Sequence, residues 1–156
     1  MAPAQASLLA KLDTQQRVRD FLTNAIASGR ASHAYLFLGA LGAGKLDAAW
    51  ALAQAFLCEQ DGCGSCDGCV RVARHTHPDV HYYTPESATG YLIAQTRELL
   101  DDVPLAPIRA KAKVYIIDRA EQLRANTANA LLKTLEEPPE GVMFILLGTS
   151  ADVMLP

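Results

Sequence analysis

Four cysteines, Cys58, Cys63, Cys66 and Cys69, fall within twelve residues, and the sequence holds no others. Two disulfides among them would close loops of only a few residues, stabilise little else, and need an oxidising compartment that nothing in the sequence indicates. Metal ligation is the better account. Gly62, Gly64 and Gly68 are placed to let the backbone turn tightly round a single ion. A closed set of four sulfurs has no vacancy for water, so the expected site is tetrahedral zinc with a structural role. A reduced, metal-free loop is the alternative. His75 and His77 lie close by and could compete as ligands, but four cysteines already complete the set, so both are read as surface or packing histidines.

A second constellation begins at Gly39. The run Gly39-Ala-Leu-Gly-Ala-Gly-Lys45 supplies the first seven places of the phosphate-loop pattern G-x-x-x-x-G-K-[ST]. Around Gly39, Gly42 and Gly44 the backbone N–H groups can cradle phosphate oxygens, while Lys45 adds a positive charge near the β and γ positions. The eighth place is Leu46, and an isobutyl group cannot hold Mg²⁺ as a Ser or Thr hydroxyl would. Asp118 ends the run Lys113-Val-Tyr-Ile-Ile-Asp118, where this pattern places its second metal anchor. In active enzymes a Glu commonly follows and polarises the attacking water; here the next residue is Arg119. Glu121 would sit on the following turn or helix and is not accepted as a substitute. An Asp118 that merely caps the next helix is the bland alternative. The two departures weigh against efficient ATP hydrolysis and against a productive ATP–Mg²⁺ complex. No residue is assigned a catalytic role, and weak holding of a phosphate, sulfate or nucleotide is what remains to the loop.

The elements that must position these residues alternate along the chain. A lead-in helix carries Val18, Phe21, Leu22, Ala25 and Ile26 at helical spacing and stops at Ser28-Gly29. Residues 34–38 read as a strand that runs into the glycine loop, and the Ala-rich stretch from Lys45 to Cys58 reads as the helix leaving it. Strands are expected at 80–84, 113–118 and 142–147, with helices at 89–102 and 126–137, the last stopped by Pro138-Pro139. In that last helix Leu131, Leu132 and Leu135 are expected to face inward. Nearly continuous apolar strands alternating with helices predict an α/β fold with a four-stranded parallel sheet covered on both faces and a Cys₄ zinc module inserted at 58–69.

Composition sets the frame. The chain has 156 residues, half of them apolar and one fifth charged, which suits one globular domain. Fourteen Lys plus Arg against seventeen Asp plus Glu give a net charge of −3, so the domain as a whole is not a polybasic binder of nucleic acid or membrane surfaces. The opening residues carry no signal-peptide pattern and no apolar run is long enough to span a bilayer, so the expected setting is cytoplasmic. The sequence stops at Pro156, one loop after a strand expected to be central, and is read as a fragment.

With these residues in view, the chain resembles the bacterial DNA polymerase III clamp-loader subunits of the AAA+ family. The stretches that carry the resemblance are Ser32-His-Ala-Tyr-Leu-Phe37, the four-cysteine insertion, Lys113 to Asp118 and, most specifically, Asn129-Ala-Leu-Leu-Lys-Thr-Leu-Glu-Glu-Pro-Pro139 with the strand after it. On spacing alone that last helix is an amphipathic helix with a solvated charged face. Thr76-His-Pro-Asp79, Leu46 and Arg119 are similar to the delta-prime type, the stationary member of the ring, rather than to the ATP-hydrolysing tau/gamma type.

The resemblance implies that residues 1–156 are an AAA+ N-terminal P-loop domain, truncated before the family's arginine-finger motif and last strand. That missing strand would pair with residues 34–38, leaving them at an exposed edge. Thr149 falls at the family's sensor position. Implied partners are the other clamp-loader subunits, delta and tau/gamma, and indirectly the sliding clamp and primed DNA, with no membrane. The implied role is to help hold the ring that loads the clamp in DNA replication, as a component of the DNA-directed DNA polymerase III holoenzyme. Two rival readings stay open: an active tau/gamma-type ATPase, and a stand-alone zinc-binding interaction module.

Overall fold

The computed structural model describes residues 7–12, 16–40 and 44–149. Its elements in chain order are α1 (Gln16–Ala27), β1 (Ala34–Leu38), α2 (Lys45–Leu57), α3 (Asp67–Ala73), β2 (Val80–Tyr83), α4 (Ile93–Asp102), β3 (Lys113–Ile117), α5 (Ala125–Glu136) and β4 (Val142–Gly148). Short 3-10 turns lie at Leu9–Lys11 and Ala120–Gln122. The strands form one parallel sheet in the order β1-β4-β3-β2. Helices cover both faces, as expected for a parallel sheet built through helical crossovers.

The two faces are sorted residue by residue, because side chains alternate along a strand. Val114 and Ile116 of β3 and Met143, Ile145 and Leu147 of β4 join one apolar cluster with α1 and α2. Tyr115, Ile117, Val142 and Phe144 join the other, with Leu99 of α4 and Leu131 of α5. This double burial is why the central strands are apolar from Val114 to Ile117 and from Val142 to Leu147. Helix α2 is buried nearly all round, and its alanines at 48, 49, 51, 53 and 55 allow close approach to its neighbours while Trp50 and Leu52 fill volume. The one amide in that row, Gln54, accepts from the Leu8 N–H at 2.8 Å and donates to the Cys69 carbonyl at 3.0 Å. Both ends of a buried polar side chain are thereby satisfied, and the amide joins α2 to the cysteine segment.

Several boundaries differ from expectation. Helix α4 starts at Ile93 rather than Thr89, because residues 87–90 form a turn closed by paired Ser87 and Gly90 backbone bonds. The Gln95 amide then reaches back to the Leu92 N–H at 2.9 Å and holds the Thr84 carbonyl at 2.7 Å, fixing the helix start against the end of β2. Leu132, expected inward, is 43% exposed; only Leu131 of that trio is buried. Strand β1 pairs with β4 alone among the described residues and forms an edge with Leu36 and Leu38 exposed. Unpaired backbone groups on such an edge invite pairing with another chain.

Candidate functional site

The glycine loop joins the C-terminal end of β1 to the N-terminal end of α2. Gly44 takes a φ of +84° immediately before Lys45, a conformation that only glycine adopts without strain. Lys45 opens α2, and its ammonium group donates to the carbonyls of Gly39 at 2.6 Å and Gly148 at 3.0 Å. It thereby ties the ends of β1 and β4 together at the mouth of a cleft of about 620 Å³ lined by Gly44 to Asp47, Asp118, Arg119, Glu121, Gln122 and residues 147–149. The cleft lies beyond the carboxyl ends of the strands, where open α/β sheets place their ligands. Among the residues expected to form a nucleotide site, Gly44, Lys45, Asp118 and Thr149 come together on this cleft and Gly39 flanks it through Lys45; Gly42 lies outside the described residues.

Asp118 leaves the end of β3, held from behind. Its N–H donates to the Tyr83 carbonyl at 2.8 Å, and the buried Tyr91 hydroxyl donates to the carbonyls of both Tyr83 and Asp118. Burial pushes the Tyr91 phenol well above its ordinary range, so it serves as a permanent donor. The Asp118 carboxylate accepts the Tyr82 hydroxyl on Oδ2 and the Arg119 N–H on Oδ1, each at 2.9 Å. Arg119 sits in the left-handed region with φ +48° and is exposed. Sequence reasoning missed Tyr82, whose link to Asp118 is made across the β2–β3 register. Glu121 lines the same cleft from the 3-10 turn, and its Oε2 is buried without a hydrogen-bond partner among the described residues.

The residues present do not fit a productive magnesium site. Leu46 offers no oxygen where the loop hydroxyl would stand, and each oxygen of Asp118 accepts a protein donor that competes with a cation for its charge.

The four cysteines fit a metal. Their sulfurs all lie within 4.8 Å of one another, with Cys58 to Cys66 and Cys63 to Cys69 each at 3.9 Å. Zinc–sulfur bonds of about 2.3 Å in a tetrahedron require sulfurs about 3.8 Å apart. Backbone N–H groups point at three of them: Gln60 and Cys63 donate to Cys58 Sγ, Cys66 to Cys63 Sγ, and Cys69 to Cys66 Sγ, at 3.3 to 3.4 Å. Such donors stabilise thiolates and orient them. The Ser65 and Cys66 N–H groups push the Cys63 thiol down to about 6, while burial pushes the Cys69 thiol up.

Helix α3, which the sequence reading did not foresee, begins inside this cluster with Cys66 as its N-cap residue, and Gly68 lies within it rather than in a turn. Gly62 does turn, with φ +95°, and packs so closely on α2 that a Cβ there would stand 3.2 Å from the Ala55 Cα. The neighbouring histidines pack as expected: His75 stacks on Trp50 with ring centroids 3.9 Å apart, and the buried His77 accepts the Asp79 N–H on Nδ1 at 3.0 Å.

A family model described as DNA polymerase III, delta subunit, matches residues 14–156. The chain belongs to this family. It is 42% identical over 138 residues to the DNA polymerase III subunit delta' of Bacillus subtilis (strain 168), a match that covers 86% of this chain and 42% of that protein. It is also 42% identical over 139 residues to the DNA polymerase III subunit tau of Escherichia coli (strain K12), covering 86% of this chain and 21% of that one. The chain therefore spans less than half the length of these two relatives. A crystal structure of a DNA polymerase III gamma subunit-related protein from Thermotoga maritima superposes with a TM-score of 0.60 at 21% identity, covering 88% of this chain and 41% of that one, a likeness of fold. Within the clamp-loader family of DNA polymerase III subunits, a parallel sheet with a phosphate-loop cleft and four clustered cysteines is thus present in this member. Among the described residues, no helix is long and apolar enough to cross a membrane.

Proposed function

We propose that this chain is the N-terminal AAA+ domain, residues 1–156 with the cysteine module at 58–69, of a delta-prime-type subunit, a stationary member of the ring that loads the sliding clamp on primed DNA. The observation that carries the reading is the state of the two metal-linked positions: Leu46 replaces the loop hydroxyl, and Asp118, followed by Arg119, spends both oxygens on protein donors. On this reading its partners are the delta and tau/gamma subunits, its setting is the cytoplasm, and its contribution is shape rather than turnover.

Equal identity to the Escherichia coli tau subunit favours, as a second reading, an ATP-hydrolysing tau/gamma type. One substitution separates them. In a clamp loader reconstituted with the complete protein, Lys45→Ala in this subunit leaves the rate of clamp loading unchanged on the delta-prime reading. Loss of most of the loading rate, in a Lys45→Ala protein whose melting temperature matches wild type, would establish the hydrolysing reading instead.

The metal is proposed to be zinc, held by Cys58, Cys63, Cys66 and Cys69 and purely structural. Elemental analysis of freshly purified, unchelated protein should return about one equivalent; less than half would overturn the assignment. Cys66→Ser removes a ligand while leaving a hydroxyl able to cap α3, so zinc affinity should fall by at least the roughly 10–100-fold that loss of a mere supporting partner causes. Far-ultraviolet circular dichroism should stay close to wild type, because the sheet is built without the module.

A further inference from the structure

Tyr82 stands between the cysteine module and the cleft, and nothing in the phosphate-loop pattern accounts for it. Its ring lies 6.0 Å from that of Trp50, which in turn stacks on His75 at the exit of the module. The hydroxyl passes beyond this aromatic group and donates to Asp118 Oδ2 at 2.9 Å. Burial, followed by the facing carboxylate, raises the Tyr82 phenol above its ordinary value. Thr84, Arg119 and Asp118 are the polar groups that face it, and Asp118 is the one carboxylate among them.

We propose that Tyr82 is a specificity-determining residue that commits Asp118 to a protein hydrogen bond, so that the cleft disfavours a divalent cation. The proposal rests on the reading of the cleft as degenerate and deepens it. Leu46 removes one metal anchor by deletion, and Tyr82 removes the other by occupation. The phenol OH holds one lone pair of Oδ2 and draws on its charge, so a cation at Oδ2 competes with it. A hydrogen bond to a charged group is worth an order of magnitude or more in an equilibrium constant, so its removal should raise cation affinity by about tenfold. Restoring the loop hydroxyl alone should therefore fail to rebuild the metal site.

The test measures Mn²⁺ affinity by electron paramagnetic resonance on zinc-loaded, full-length chain, comparing wild type, Leu46→Thr, Tyr82→Phe and the double variant. Phe keeps the ring against Trp50, and thermal melting checks that each variant is folded; Tyr82→Leu serves if Phe does not fold. The double variant should bind Mn²⁺ at least about tenfold more tightly than Leu46→Thr, and adding Asp118→Asn should abolish the gain. Equal affinity of Leu46→Thr and the double variant, or a gain that survives Asp118→Asn, would overturn the role given to Tyr82. Tight Mn²⁺ binding by wild type that is lost in Asp118→Asn would instead overturn the degenerate reading itself.

Discussion

Incubated with ATP and Mg²⁺, the purified 156-residue chain releases phosphate at the uncatalysed background rate. Phosphoryl transfer in phosphate-loop enzymes relies on Mg²⁺ held by the loop hydroxyl and an Asp, on a residue that orients water, and on an arginine finger. Of these four the sequence supplies Asp118 alone, and its carboxylate is bonded to Tyr82 and to its own chain neighbour. An arginine finger by itself accounts for about 10³–10⁵ in rate, so the combined deficit leaves nothing measurable. Leu46→Thr with Arg119→Glu should not revive turnover in the isolated chain, since on the proposed reading the finger comes from a neighbouring subunit. A colorimetric phosphate assay checks this. Magnesium-dependent turnover that disappears in Lys45→Ala would identify a working ATPase.

The largest loss of stability from a single polar side chain is expected at Asp79. This carboxylate has no exposed surface and accepts three successive backbone N–H groups, from Ile108 at 2.6 Å and from Arg109 and Ala110 at 2.7 Å. It organises the approach to β3 from a position just before β2, while Arg109 reaches from that approach to Asp67 at the start of α3 at 2.9 Å. Asp79→Ala leaves three donors without their charged acceptor, at a cost of about 3–5 kcal/mol. At roughly 2–4 °C per kcal/mol for a chain of this size, the melting temperature falls by roughly 6–20 °C.

The same group gives an acid-dependent signature. Burial alone would raise its pKa, but the N–H groups of Ala110, Ile108 and Arg109 outweigh burial and hold the carboxyl below its usual range. A pKa lower in the folded than in the unfolded chain means that the stabilisation is complete above the unfolded value of about 3.9 and is lost as pH falls below it. Wild type should lose melting temperature more steeply below pH 4 than Asp79→Ala does, and parallel curves would refute the assignment.

How much of this was legible in the sequence depends on whether a feature is written in neighbouring residues or across the fold. The strands at 113–117 and 142–148 were readable because burial on both faces forces apolar residues from Val114 to Ile117 and from Val142 to Leu147. Lys45, Asp118 and the four cysteines were readable because their chemistry demands fixed spacing. Helix α3 was hidden because its seven residues include a glycine and a cysteine of the cluster, and it is begun by a sulfur rather than by a Ser or Asp. Leu132 shares the composition of a buried position, and only the place of α5 at the sheet edge decides that it is exposed. The bonds from Tyr82 to Asp118 and from Asp79 to residues 108–110 span about thirty residues or more and leave no local pattern.

The strand order carries a consequence for how the chain is made. β4 is the last of the four strands in sequence yet lies between β1 and β3. When a ribosome has released β1, β2 and β3, only β2 and β3 have a mutual partner, and β1 must wait for residues more than a hundred positions later in the chain. At about 5–20 residues per second that wait lasts several seconds or longer, far beyond the time needed to form α1 or α2. During it the backbone edge of β1 has no partner strand. The arrival of β4 closes both ladders at once, so the nascent domain passes from two loose halves to a single sheet in one late step.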